Sequence, residues 1–132
     1  MCQAQCAWEQ RCGGAAAQCV DSCAAKMGTT NVFRPESIDA MRDCYAALAC
    51  GQGDDSCTTA AVTAVNANLN DAGYQACLSR HEACASDGTS DFSDDRCVTR
   101  FMFTLAAIAE VDACLEQACE QIGGCIDAVM GR

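Results

Sequence analysis

Fourteen cysteines in a chain of 132 residues decide most of what this sequence can fold into. Cysteine at that density marks scaffolds held together by disulfides in oxidising compartments; cytosolic domains rarely carry it. The count is even, so Cys2, Cys6, Cys12, Cys19, Cys23, Cys44, Cys50, Cys57, Cys77, Cys84, Cys97, Cys114, Cys119 and Cys125 can all pair. Fourteen half-cystines admit on the order of 10^5 complete pairings, so the connectivity is open except where local structure constrains it. Large apolar side chains are scarce, with one Trp, two Tyr and four Phe. A core short of bulk gains from cross-links, each worth roughly 2–4 kcal/mol.

The first four cysteines have local order. Cys2 and Cys6 stand four apart, as do Cys19 and Cys23, so each pair lies on one face of a helix. Residues 2–12 and 15–27 read as two short helices about Gly13-Gly14. A turn at those glycines brings Cys2 to Cys23 and Cys6 to Cys19, giving a stapled hairpin over 2–28, with Cys12 left to pair elsewhere. This spacing over residues 2–23 resembles that of the alpha-hairpinins. That family's functions are varied, so the resemblance implies the hairpin and no activity.

Helical periodicity continues beyond the hairpin. Arg34-Pro35-Glu36 opens a helix, with proline in the first turn and an acid at the positive end. Ile38, Met41, Tyr45 and Leu48 form its apolar stripe, which stops at Gly51. A second helix carries Val62, Val65 and Leu69 and weakens near residues 70–73. A third runs from Tyr74 to Ala85. Ser93 or Asp94 caps a fourth, whose face holds Val98, Phe101, Leu105 and Ile108, and a last pair of short helices holds Cys114, Cys119 and Cys125. Sustained alternation is absent. The expected fold is all-α: one domain over 1–132, an irregular disulfide-stapled bundle of five to seven short helices.

A faint duplication runs through this pattern, with candidate units at 33–57 and 92–125. Cys44, Cys50 and Cys57 follow Phe33 much as Cys114, Cys119 and Cys125 follow Phe92. The segments Phe92-Ser93-Asp94-Asp95-x-Cys97 and Asp112-Ala113-Cys114-Leu115-x3-Cys119-x5-Cys125 resemble stretches of uncharacterised cysteine-rich exported proteins of Gram-negative bacteria. That resemblance implies export and paired cysteines, and no particular activity.

Net charge is −10, with eighteen acids against eight bases. Nucleic acids and anionic membrane surfaces call for clustered Lys and Arg, so both are disfavoured as partners. The apolar run from Phe101 to Ala109 is too short to span a bilayer. Met1 to Cys6 lacks the basic and apolar regions of a leader, so a disulfide-rich chain implies a signal peptide already removed and Met1 added as an initiator. Cys2 is read as a paired cysteine in preference to a lipidated one.

Few chemical motifs compete with the scaffold reading. Cys2, Cys6, Cys19 and Cys23 have a spacing that suits Cu(I) thiolates on a helical bundle, which makes Cu(I) the alternative ligand. No Cys-x2-Cys occurs, so zinc-ribbon, iron–sulfur and thioredoxin-like signatures are missing. The one histidine, His81, would have to serve any triad, yet Arg80 and Glu82 flank it as on a solvated helix surface. Asp87, Asp91, Asp94 and Asp95 do not match a calcium loop. Trp8 reads as hairpin core or interface anchor. Met102 and Phe103 point off the Phe101 face and are candidates for a second contact, either within the chain or at an interface with another chain.

The expected function is therefore a secreted, periplasmic or cell-surface helical module that binds a partner or builds structure, without catalysis or cofactor. The alternatives are a Cu(I)-thiolate bundle and a self-assembling extracellular subunit. A small hydrolase built on His81 is the weakest reading.

Overall fold

A computed structural model describes the chain except at residues 15, 16, 29, 87, 89, 90, 91 and 132, with the backbone alone at residue 30. Among the described residues there are eight α-helices and no strand: α1 (Cys2–Arg11), α2 (Cys19–Met27), α3 (Pro35–Ala47), α4 (Asp55–Ala64), α5 (Ala72–Ser86), α6 (Asp94–Thr99), α7 (Leu105–Cys114) and α8 (Cys119–Val129). Single 3-10 turns at Thr30–Val32 and Arg100–Met102 precede α3 and α7. The fold is the all-α stapled bundle, with one helix more than the expected range.

Two helix ends explain where the periodicity misleads. Gly13, at φ +85°, lets Gly14 donate to the Glu9 carbonyl and Gly13 to that of Gln10, so α1 closes in a Schellman cap. Asn66, at φ +51°, does the same for α4: its N–H reaches the Thr63 carbonyl and that of Ala67 reaches Val62. Asparagine tolerates the left-handed region and takes the place usually held by glycine. The Val62–Val65–Leu69 stripe is therefore cut at Ala64, and Leu69 is left 57 % exposed outside any helix.

The expected continuous helix from Val98 to Ile108 is also broken. The 3-10 turn at Arg100–Met102 ends it, and Thr104 starts α7 afresh, its side chain accepting the Ala107 N–H. Such a cap is worth about 1 kcal/mol. Leu105 consequently sits 75 % exposed, although its spacing from Phe101 and Ile108 predicts core. Phe101, Met102 and Phe103 are all buried.

All fourteen cysteines are bonded: Cys2–Cys23, Cys6–Cys19, Cys12–Cys50, Cys44–Cys57, Cys77–Cys97, Cys84–Cys119 and Cys114–Cys125. The pairing order repeats. In residues 2–57, α1 is tied to α2, the end of α1 to the end of α3, and α3 to α4. In residues 77–125, α5 is tied to α6, α5 to the start of α8, and α7 to α8. The first half has one extra α1–α2 bridge. No bridge crosses from one half to the other.

The halves meet at an isolated antiparallel bridge between Phe33 and Phe103. Arg34 N–H donates to the Met102 carbonyl at 2.7 Å and Thr104 N–H to that of Val32 at 2.8 Å. Residues 32, 33 and 34 thus correspond to 102, 103 and 104, a local two-fold relation. With the same offset Ile38 matches Ile108, Met41 matches Val111, Cys44 matches Cys114 and Tyr45 matches Leu115. The Phe33 and Phe103 rings lie 5.0 Å apart, an aromatic pair worth about 0.5–1.5 kcal/mol beyond its burial. The phenylalanine that answers Phe33 is therefore Phe103 and not Phe92; the latter is buried beside His81 instead.

One core serves both halves. It joins Phe33, Met41, Tyr45 and Leu48 to Val111, Ile122, Ile126 and Met130, and Cys57, Cys77, Cys84, Cys97 and Cys114 fill it with buried sulfur. The cystines thus supply volume as well as covalent constraint, in place of the missing large side chains.

Candidate functional site

The two-fold relation allows each surface feature of one half to be compared with its counterpart. Between α1 and α3 the seam is closed: the Trp8 indole packs on Tyr45, ring centroids 5.9 Å apart. Burial pushes the Tyr45 phenol above its usual range, aided by the carboxylate of Asp54. Cys12 answers Cys84, and four residues before each stand Trp8 and Arg80. In the second half Arg80 takes the aromatic's place and reaches across to the Leu115 and Gln117 carbonyls at 3.1 and 2.6 Å. With small residues Gly73, Ala76, Ser79 and Ala83 along α5, the α5–α7 seam stays open as a groove of about 650 Å³.

At one end of this groove lies the most buried charge among the described residues. Arg100 is 7 % exposed and donates to both oxygens of Asp112, at 2.7 and 2.8 Å, and to Asp71 at 2.8 Å. The bond to Asp112 and the field of both carboxylates raise its pKa against the cost of burial. Asp71 is held below the usual carboxylate range, first by the Tyr74 N–H it accepts at the start of α5 and also by Arg100. Gly73 makes room for this cluster: a Cβ there would lie 2.0 Å from the Arg100 guanidinium. Neither Arg100 nor Gly73 belongs to a motif in the sequence; the available signal is an arginine placed between Cys97 and the apolar Phe101-Met102-Phe103 run.

A second pair of counterparts lies at the feet of α3 and α7. Each is a crevice of similar size, about 270 Å³ beside Ile38 and about 280 Å³ beside Ile108. The first is walled by Met1, Met27 and Ile38 and has no charged side chain. The second brings Arg34, Asn66, Asn68, Asp71 and Arg100 together with Phe101, Leu105 and Ile108.

The residues singled out from sequence fall elsewhere. Cys2, Cys6, Cys19 and Cys23 form the two hairpin bridges, so they present no thiolate for Cu(I) in this oxidised state. Trp8 is partly buried and packed on α3. Met102 and Phe103, expected to make a second contact either within the chain or with another chain, are 3 % and 1 % exposed and make the intramolecular one, joining this chain's own halves. His81 is half-buried rather than a solvated surface residue; Nδ1 lies 3.1 Å from the Phe92 carbonyl and the ring meets Phe92 edge-on. Asp94 and Asp95 open α6, with Ser93 at the cap position. Asp87 and Asp91 lie outside the described residues. No cluster of three His, Cys, Asp or Glu side chains suited to a metal ion occurs among the described residues, and no helix there is long and apolar enough to cross a membrane.

No family model, curated protein or solved structure matches the chain.

Proposed function

We propose that this chain is an exported, non-catalytic binding module whose rigid frame presents crevices to a partner in an oxidising compartment. The observation that carries the reading is the complete pairing of all fourteen cysteines within one chain. A reducing compartment would not sustain that state. Fixing the crevice walls on stapled helices lowers the ordering cost that binding would otherwise incur. Two further features support the absence of catalysis. His81 is tied to a backbone carbonyl and an aromatic edge, not to a nucleophile. The other strongly coupled charges, Arg100 with Asp71 and Asp112, are paired with one another.

The test is the intact mass of the natively exported protein after thiol alkylation, with and without reduction. The expected result is a mass fourteen hydrogens below the reduced chain and no alkylation until reductant is added. Alkylation of most thiols without reductant would overturn the reading and return Cys2, Cys6, Cys19 and Cys23 to consideration as Cu(I) ligands.

A further inference from the structure

We infer that the crevice at the foot of α7 binds a carboxylate carried on a short apolar group, with Arg34 as the guanidinium that receives it. The inference rests on the binding-module reading and supplies its ligand class.

Arg34 is the uncommitted arginine of the described structure. Arg11 and Arg80 donate to backbone carbonyls, while Arg42, Arg96 and Arg100 donate to carboxylates. The Arg34 side chain makes no such bond, although it is only partly exposed and lines the crevice. A guanidinium presents a planar fork of donors that matches a carboxylate in two parallel hydrogen bonds. Apolar side chains also line it: Val65, Phe101 and Ile108, with Leu105 at 75 % exposure. That leucine follows the cap residue Thr104, where proline follows Arg34 in the first half, so helix geometry does not require it.

The counterpart crevice isolates what is special here. It has nearly the same volume and the same isoleucine, but Met1 and Met27 stand where the second crevice has charged groups. The architecture therefore tolerates a lining without charged side chains.

A single negative charge suits the site. Asp71, the carboxylate in the wall, is paired with Arg100 and accepts the Tyr74 N–H through the same oxygen, whereas Arg34 has no carboxylate paired with it among the described residues. The net charge of −10 belongs to the chain as a whole, and charges more than about 8 Å away are screened at physiological salt. The volume is at the small end for ligand sites, which favours a short apolar tail.

The experiment titrates the oxidised protein with hexanoate, hexan-1-ol and hexylammonium while observing the methyl resonances of Leu105, Ile108 and Ile38. Hexanoate should shift Leu105 and Ile108 saturably and leave Ile38 in place. The alcohol and the amine should bind at least about tenfold more weakly, the loss expected for one charge-assisted hydrogen bond. Arg34→Gln should weaken hexanoate by about the same factor. Its backbone N–H still bridges to Met102, and intact disulfides by mass confirm folding. Arg34→Lys, which keeps the charge but loses the fork, should fall between the two. The inference is overturned if hexanoate produces no shift, if the three probes bind alike, if Ile38 responds equally, or if Arg34→Gln leaves hexanoate binding unchanged. Any of these in a fully oxidised protein sinks the ligand class alone. Free thiols would sink the module reading whatever the probes do.

Discussion

The α1–α3 seam and the α5–α7 seam are built on the same plan and finished differently. Each lies beside a helix that is stapled to the next helix and carries a second bridge, from α1 to the end of α3 in the first half and from α5 to the start of α8 in the second. In the first, Trp8 and Tyr45 close the gap with aromatic area. In the second, Arg80 spans it with hydrogen bonds to two carbonyls, and alanine, serine and glycine leave a groove. The contrast teaches that the cross-links set the helix arrangement while side-chain volume decides whether a seam becomes core or surface. A fold with few large side chains can keep one half sealed and leave the other available.

The sharpest way to break this contrast is at Arg100, which only the second half possesses as a buried charge. Arg100→Met strands Asp71 and Asp112 and should destabilise the protein by about 2–4 kcal/mol in chemical denaturation, discounted because both carboxylates are partly exposed. Arg42→Ala, at the position matching Asp112, should leave the denaturation midpoint essentially where it is, since its pairs with Asp39 and Asp43 are exposed. If the two substitutions cost the same, the buried node is not what distinguishes the second half.

The same node gives a pH signature. Asp71 has a folded pKa below its ordinary value of 3.8, so its contribution is complete above that value. It is lost as pH falls through the lower folded value. Denaturation midpoints of the parent should drop more steeply below about pH 4 than those of Asp71→Asn. Parallel curves would remove Asp71 from the stabilising cluster.

Smaller effects sharpen the seam comparison itself. Trp8→Ala should cost about 2–3 kcal/mol, less than a fully buried tryptophan because Trp8 is only partly buried. Arg80→Ala should cost about 1 kcal/mol, the scale of its partly buried hydrogen bond to the Leu115 carbonyl and its exposed one to that of Gln117. Ala83→Leu should leave stability unchanged or raise it by up to about 1 kcal/mol by filling open space. A loss of more than 1 kcal/mol there would mean the groove is already occupied by the protein itself.

How much of this was legible in the sequence follows from which forces are local. The helical period and the four-residue spacing of Cys2/Cys6 and Cys19/Cys23 are short-range signals, and they lead to the all-α fold. The likeness of Cys44-Cys50-Cys57 to Cys114-Cys119-Cys125 was visible too. Its register against Phe33 was not, because Phe92 and Phe103 both precede helix starts and only the Val32–Arg34 pairing with Met102–Thr104 separates them. Leu105 and Leu69 misled periodicity for a common reason: Thr104 starts one helix and Asn66 ends another by capping, a choice of one or two hydrogen bonds that an apolar stripe does not record. The Arg34 crevice was invisible, since its walls come from the end of α4, the start of α5, the 3-10 turn before α7 and α7 itself.

The absence of any cross-link between the halves has a consequence for the life of the chain after it is cut. Val65 to Asp71, with exposed Leu69 and Asn68, is the sole covalent path between two internally locked pieces. A protease that severs it leaves fragments of nearly equal length, each keeping its own bridges. They then hold together only through the Phe33–Phe103 joint and the shared core, and they can come apart without any reductant. Halves so joined can also exchange between molecules, each new pair rebuilding the same joint from pieces of different origin.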